Sequence, residues 1–270
     1  MNRIDAAFAR LRQEGRKAFM PFVTAGDPTL DATAAILREL ERRGAADLVE
    51  LGVPYSDPLA DGPVIQASYQ RALGGGAAPP AILDALGGLR ADGLALPVCL
   101  MISYSLVFRA GVEAFVERAA RAGADGLIVP DLPVDEAEDL GRVLKGRGLK
   151  QVLLVAPTTP PDRRRIILAH ATGFVYCVSL TGITGERAEL PEHLVAYVKD
   201  VKKTARAPVC VGFGISRPEQ VAAVGKVADG VIVGSAVVHR IADAAGRAPA
   251  EIAAAVADLC QELSAPLRAS

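Results

Sequence analysis

From residue 18 onward, short wholly apolar runs alternate with longer segments whose apolar positions recur every three or four residues. Runs that are apolar on both faces mark strands of a parallel sheet covered on each side, and the three-to-four spacing marks amphipathic helices. The pattern predicts strands over 18–24, 47–52, 97–102, 126–130, 151–156, 174–179, 208–212 and 230–234. Segment 29–43 shows the helical case: Ala32, Ala35, Ile36 and Leu40 form one stripe, and Gly44 supplies the stop. Ahead of the first strand, Ile4, Phe8 and Leu11 share a helical face, which predicts a short amphipathic helix over 1–16 that docks on the core. That segment is basic but carries Asp5 and Glu14 and no continuous apolar stretch, so a transit peptide is the weaker alternative.

Three helix-to-strand joints share a signature: Gly44-Ala45-Ala46-Asp47, Gly123-Ala124-Asp125-Gly126 and Val227-Ala228-Asp229-Gly230. One strand-helix unit is therefore repeated along the chain. Alternation of this kind calls for a parallel sheet, and the predicted strand count within 270 residues is that at which such a sheet closes. The expectation is a (β/α)8 TIM barrel with an extra N-terminal helix, one domain spanning 1–270 with a disordered tail over the last few residues.

Against that pattern one residue stands out. Glu50 interrupts the apolar run Leu48-Val49-Glu50-Leu51, and a carboxylate there must lose hydration unless it is paired, protonated or turned to a polar cavity. Gly52 and Pro54 then end the strand, and the following loop carries Asp57 and Asp61 among prolines. Taken alone, Glu50 reads as a structural acid held by an arginine, and the two aspartates as turn formers. Barrel geometry reverses the balance, because reacting residues of such barrels sit at the C-terminal strand ends and on the loops that follow. The stretch 53–96 is also the longest between strands and is expected to be a functional loop.

Composition narrows the partners. Lys plus Arg total 30 against 31 for Asp plus Glu, so no global field favours nucleic acid or an anionic membrane. The chain is 51% apolar, yet no run approaches the roughly 18 residues of a membrane span. Cys99, Cys177, Cys210 and Cys260 show no CxxC spacing and read as buried reduced thiols in a cytoplasmic protein.

The last three strands are followed by Thr181-Gly182-Ile183-Thr184-Gly185, Gly212-Phe213-Gly214-Ile215-Ser216 and Gly234-Ser235. Glycines let the backbone approach a ligand, and free N–H groups beside a helix start offer an anion site. Sets of this kind in the last barrel loops predict a phosphate ester as substrate. The seven lysines fall in helices, loops or strand beginnings, where none suits a Schiff base, and His170, His193 and His239 have no metal-ligand spacing. What remains is carboxylate acid/base chemistry by Glu50 with Asp61 or Asp57. Phe22, Tyr176 and Phe213 suit a flat apolar slot, and Arg163-Arg164-Arg165 reads as a solvated helix face.

Four stretches, residues 22–28, 50–63, 181–185 and 212–216, closely resemble the tryptophan synthase alpha subunit family, and the resemblance covers about residues 1–265. It implies cleavage of indole-3-glycerol phosphate to indole and glyceraldehyde 3-phosphate, a retro-aldol reaction without metal or Schiff base. By the same resemblance Glu50 is the general acid/base at indole C3 and at the C3′ hydroxyl, and Asp61 holds the indole N–H. Thr184 and Gly185 match a loop that closes over the site. Gly185, Gly214, Gly234 and Ser235 match phosphate binders, and Phe22, Ile65, Ile128, Tyr176 and Phe213 match the indole slot. The implied partner is a tryptophan synthase beta subunit in an α2β2 complex. Pyridoxal phosphate belongs to that partner, and no cofactor is expected in this chain.

Two positions depart from the family pattern: Ser105 replaces a customary Asn, and Ser103 stands where a Tyr is common. Both fall in the segment implied to dock the beta subunit, beside the loops at 54–61 and 181–193. A stand-alone lyase releasing free indole and a non-catalytic scaffold that only activates a beta subunit remain as alternatives. Ribulose-phosphate epimerases and indoleglycerol-phosphate synthase are disfavoured, since the first need metal ligands and the second a strand-end lysine.

Overall fold

A computed structural model describes residues 1–58, 61–178, 191–212 and 214–268. Eight parallel strands close into a barrel in sequence order: β1 (Ala18–Thr24), β2 (Val49–Gly52), β3 (Val98–Met101), β4 (Gly126–Ile128), β5 (Lys150–Val155), β6 (Val175–Val178), β7 (Val209–Gly212) and β8 (Gly230–Val233). Each predicted strand is present: β1 over the predicted residues, β5 one residue earlier, and the others trimmed at one or both ends. The helices are α1 (Arg3–Gln13), α2 (Leu30–Arg42), α3 (Pro63–Gly74), α4 (Pro79–Ala91), α5 (Tyr104–Ala110), α6 (Val112–Arg121), α7 (Ala137–Gly146), α8 (Pro161–His170), α9 (Glu192–Thr204), α10 (Pro218–Gly225), α11 (Ser235–Asp243) and α12 (Pro249–Ser264).

Strand alternation divides the core into two shells. Outward residues such as Phe19, Val49, Leu51, Val98 and Val231 pack beneath the helices. Inward residues Met20, Leu48, Cys99, Ile128, Val152, Phe174, Cys210 and Ile232 fill the barrel, and α1 closes this inner cluster from below with Ile4, Ala7, Phe8 and Leu11. The Phe8 and Phe174 rings lie 6.1 Å apart. Full burial of three large apolar side chains, at about 2 kcal/mol each, fixes α1 as the barrel's plug. The docking expected from its apolar face is therefore realised against the barrel interior.

The helix over 29–43 forms as α2, with Thr29 accepting from the Ala32 N–H at 3.1 Å and Gly44 leaving the helix at φ +56°. Its buried stripe is Ala32, Thr33, Ile36, Leu37 and Leu40, and Ala35 lies at its margin. The long functional loop expected over 53–96 is not found. Helices α3 and α4 occupy most of it, both started by Pro in the first turn, and the connection that carries the aspartates is only 53–62. Arg163-Arg164-Arg165 is also only partly a solvated face, because Arg164 pairs with Asp200 at 2.5 Å and lies 5.6 Å above the Tyr197 ring.

The repeated Asp joints acquire a physical role. Asp47 accepts from the Phe19 N–H at 3.0 Å, Asp125 from Val98 at 2.8 Å and Asp229 from Val209 at 2.9 Å. Each acid thus ties the start of an even strand to the first residues of the odd strand before it. Thr172 does the same for Gln151 through its hydroxyl at 2.7 Å, so all four strand pairs carry a clasp. Basic partners stand beside the acids: Arg16 at Asp47, Arg90 and Arg3 at Asp125, and Lys202 at Asp229. All clasps lie at the barrel's N-terminal end, leaving the opposite mouth free for chemistry.

Candidate active site

Along β2 the inward positions are Leu48, Glu50 and Gly52. Leu48 belongs to the inner cluster, and Glu50 above it is 1% exposed, in register with Phe22 of β1 and Cys99 of β3. Its Oε1 is buried and finds no hydrogen-bond partner among the described residues. Among the described residues no arginine pairs with it, as a structural ion pair would require. At Gly52 the missing side chain makes room for the site's aromatic wall. A Cβ there would come 2.4 Å from the Phe22 ring and 3.1 Å from the Tyr69 hydroxyl.

Asp61 reaches the same region from the loop before α3. Its N–H donates to the Pro58 carbonyl at 3.1 Å, and Gln66 on the first turns of α3 donates to the carbonyls of Pro58 and Asp61 at 3.2 and 2.8 Å. The helix thereby pins the loop that presents its carboxylate. Asp57 is exposed and accepts from the Ser56 hydroxyl at 2.7 Å, so of the two candidate partners Asp61 is the one held inward.

A cavity of about 250 Å3 opens above these groups, lined by Asp61, Tyr69, Met101, Ser103, Pro130 and Asp131 among others. Glu50 is not among the lining residues but stands in register with Phe22, which packs with Ile65, Tyr69 and Val238. Asp131 is held at the rim by the Tyr104 N–H at 2.9 Å and the Ser103 hydroxyl at 2.6 Å.

These surroundings separate the two carboxyl groups. Burial, and then the charge of Asp61, push Glu50 up to about 8. Burial, and then the charge of Asp131, push Asp61 up to about 6. Near pH 7 the pair thus holds one proton, on Glu50, beside an ionised Asp61. A pair of acids driven apart in this way is what assigns acid and base roles in a site.

Burying Glu50 has a thermodynamic signature. Its folded value lies above its unfolded one, so its contribution is fully present below about pH 4.5 and is lost as pH rises through about 8. The loss is on the order of 5 kcal/mol. Glu50→Gln should therefore melt close to the parent at pH 4.5 and roughly 8 °C higher by pH 8.5. A gap that stays constant over that range would mean that Glu50 is charged in the folded protein.

The other expected site residues separate by depth. Phe22 and Ile65 form the wall above Glu50, with Tyr176 reaching over Gly212, where a Cβ would meet its hydroxyl at 2.6 Å. Ile128 is fully buried in the inner cluster, in register with Met101 of β3, which lines the cavity. Beside this wall, at the end of β8, Gly234 precedes α11, whose first residue is Ser235, and a Cβ on Gly234 would lie 3.8 Å from Phe22 Cβ. Gly214, at φ +72°, is exposed on the neighbouring loop. Gly234 thus sets bare backbone and the start of α11 beside Phe22 and Ile65. Thr184, Gly185 and Phe213 lie outside the described residues.

Sequence reasoning passed over Tyr69 and Asp131. Tyr69 stands four residues beyond Ile65 on α3, hence on the same face. Asp131 closely follows β4, where barrel strands deliver functional groups. Among the described residues no cluster of three or more His, Cys, Asp or Glu is arranged to hold a metal, and no helix is long and apolar enough to cross a membrane.

Comparison with known proteins adds an independent line. The family model described as tryptophan synthase alpha chain matches residues 8–267. The tryptophan synthase alpha chain of Prochlorococcus marinus strain MIT 9313 is 49% identical over 96% of this chain and 93% of its own length. That of Rhodopirellula baltica is 47% identical over 97% and 98%. Among solved structures, tryptophan synthase subunit alpha from Legionella pneumophila superposes with a TM-score of 0.88 at 37% identity, covering 97% of this chain and 98% of that one. A chain of tryptophan synthase from M. tuberculosis gives 0.87 at 32% identity with 100% of both covered.

Proposed function

The chain belongs to the tryptophan synthase alpha chain family, and from that premise we propose that Glu50 and Asp61 are the pair with which it cleaves indole-3-glycerol phosphate. The chain is a lyase of tryptophan biosynthesis, and the bond it breaks joins indole C3 to C3′ of the glycerol phosphate. Broken directly, that bond would leave an electron pair on an aromatic carbon. Protonation of C3 first turns the ring into an electron-poor indolenine that can accept the pair.

Glu50, protonated at neutral pH, gives its proton to C3. Asp61, ionised, accepts a hydrogen bond from the indole N–H and offsets the positive charge that grows on that nitrogen. The Glu50 carboxylate then takes the proton of the C3′ hydroxyl. The C3′ carbonyl of glyceraldehyde 3-phosphate forms, and the bonding pair returns to the ring to give indole. Proton count is conserved, and Glu50 ends protonated. The single observation behind this reading is the buried Glu50 carboxyl, whose Oε1 has no partner among the described residues, under the charge of an acid of lower affinity for protons.

In the same reading Phe22, Ile65, Ile128, Tyr176 and Phe213 contain the indole. Gly214, Gly234 and Ser235, with Gly185, take the phosphate, and Thr184 orients Asp61 as its loop closes. The chain works in the cytoplasm as one domain and carries no cofactor of its own. Indole passes to a pyridoxal-phosphate beta subunit in an α2β2 complex. Phe108 on α5 supports such docking: it is 68% exposed beside Tyr104, just beyond the cavity-lining Ser103.

The test is release of glyceraldehyde 3-phosphate from indole-3-glycerol phosphate, by the purified chain alone and with a beta subunit, serine and pyridoxal phosphate. Slow release that rises strongly with the beta subunit is expected. Fast release indifferent to it would mean a stand-alone lyase, and no release in either case a scaffold.

A further inference from the structure

The reaction leaves Glu50 ionised for part of each turnover, in a place where its Oε1 has no partner among the described residues. An unpaired buried carboxylate is costly, and a donor close by would lower that cost only while the charge exists. Among the described residues, few groups act on Glu50. Asp61 faces it from the loop before α3, Tyr69 from α3 itself, Cys99 from β3 and Tyr176 from β6. Asp61 is charged alike and Cys99 is a weak donor, which leaves the two phenols.

Tyr69 is the better placed of these. It is 3% exposed, it lines the cavity together with Asp61, and its ring is fixed against Phe22, Ile65 and Val238. Its hydroxyl fills the space over Gly52, the next inward position beyond Glu50 on the same strand. Tyr176 also feels the Glu50 charge, but it comes from β6 and its hydroxyl settles over Gly212, away from the strand that carries Glu50. Burial, followed by the charges of Asp61 and Glu50, holds the Tyr69 phenol well above its ordinary range, so it keeps its proton and remains a donor at any working pH. The same helix pins Asp61 through Gln66, so α3 sets both partners of Glu50 at once.

We propose that Tyr69 is a positioning residue for this cleavage: its hydroxyl turns to the Glu50 carboxylate once the proton has gone to C3, and holds it where the C3′ hydroxyl proton is received. No proton leaves Tyr69, and the only bonds made and broken are those of the Glu50 cycle. The inference rests on the reading of Glu50 as acid and base.

Tyr69→Phe removes the hydroxyl and keeps the ring in its packing. The expected result is a kcat about ten- to a hundredfold lower, as for loss of one hydrogen bond to a charged group, with KM within about threefold. Because the charged form of Glu50 loses a donor, the alkaline limb of the kcat/KM profile should move to higher pH. A purely structural role would move neither limb. Replacing Tyr69 by 3-fluorotyrosine, a stronger donor of nearly the same shape, should move that limb the opposite way and serves if the Phe variant does not fold.

Unchanged limbs in both variants would overturn the proposal, as would a limb that moves in Tyr176→Phe and not in Tyr69→Phe. Glu50→Gln assayed alongside separates the two levels. Activity retained there defeats the acid/base reading itself, whereas an inactive Glu50→Gln with a normal Tyr69→Phe defeats only the role of Tyr69.

Discussion

Glu50→Gln will lower kcat for indole-3-glycerol phosphate cleavage by about a thousandfold or more, while the substrate dissociation constant stays within about threefold. The amide matches the protonated carboxyl in size and polarity, so the wall of Phe22, Ile65 and Tyr69 keeps its shape. What disappears is a proton to give and a site to receive one. General acid/base catalysis contributes roughly a hundred- to ten-thousandfold, and here one residue serves both directions. The variant should also be the more stable protein at alkaline pH, since it no longer carries a buried acid. Loss of activity accompanied by loss of stability at pH 8 would point to damage rather than chemistry, and more than a tenth of the parent rate would remove Glu50 from the mechanism.

The second large effect is structural. Asp125→Ala should lower the unfolding free energy by about 3–5 kcal/mol, seen as an earlier urea midpoint with little change in slope. Asp125 is 2% exposed and accepts from the Val98 N–H at 2.8 Å, from Arg90 at 2.9 Å and from Arg3 at 3.0 Å. Its removal leaves a buried N–H and a nearly buried guanidinium without their acceptor, and it releases one anchor of α1, the barrel's plug. Asp125→Asn keeps an acceptor for Val98 and should cost less. A loss under about 1 kcal/mol for the Ala variant would mean that Arg90 is satisfied by the carbonyls of Gly123, Leu94 and Leu96 alone.

The recurrence of Asp47, Asp125 and Asp229 before strands marked the repeat in the sequence without disclosing its cause. The cause is a contact between strands, and the fourth clasp keeps the flanking Ala171 and Gly173 of the motif but puts Thr172 in the place of the Asp. Strand order was legible because inward and outward positions are both apolar except where a cavity requires otherwise, and Glu50 announced itself by that exception. The stretch 53–96 misled for a local reason. Helices α3 and α4 have weakly patterned faces, with glycines and prolines mixed into their turns, so their periodicity is diluted. Asp61 and Asp57 could not be told apart by spacing, because only the Gln66 contacts and the Ser56 contact decide which one turns inward. Tyr69 and Asp131 matter through what they face across the cavity, which no spacing along the chain expresses.

The division of labour between a protonated Glu50 and an ionised Asp61 is best tested by the rate of glyceraldehyde 3-phosphate release, as kcat/KM, from pH 5 to 9.5. A bell is predicted, rising as Asp61 loses its proton near pH 6 and falling as Glu50 loses its own near pH 8. A rate that still rises through pH 9 would require the working form of Glu50 to be charged, and would contradict the account.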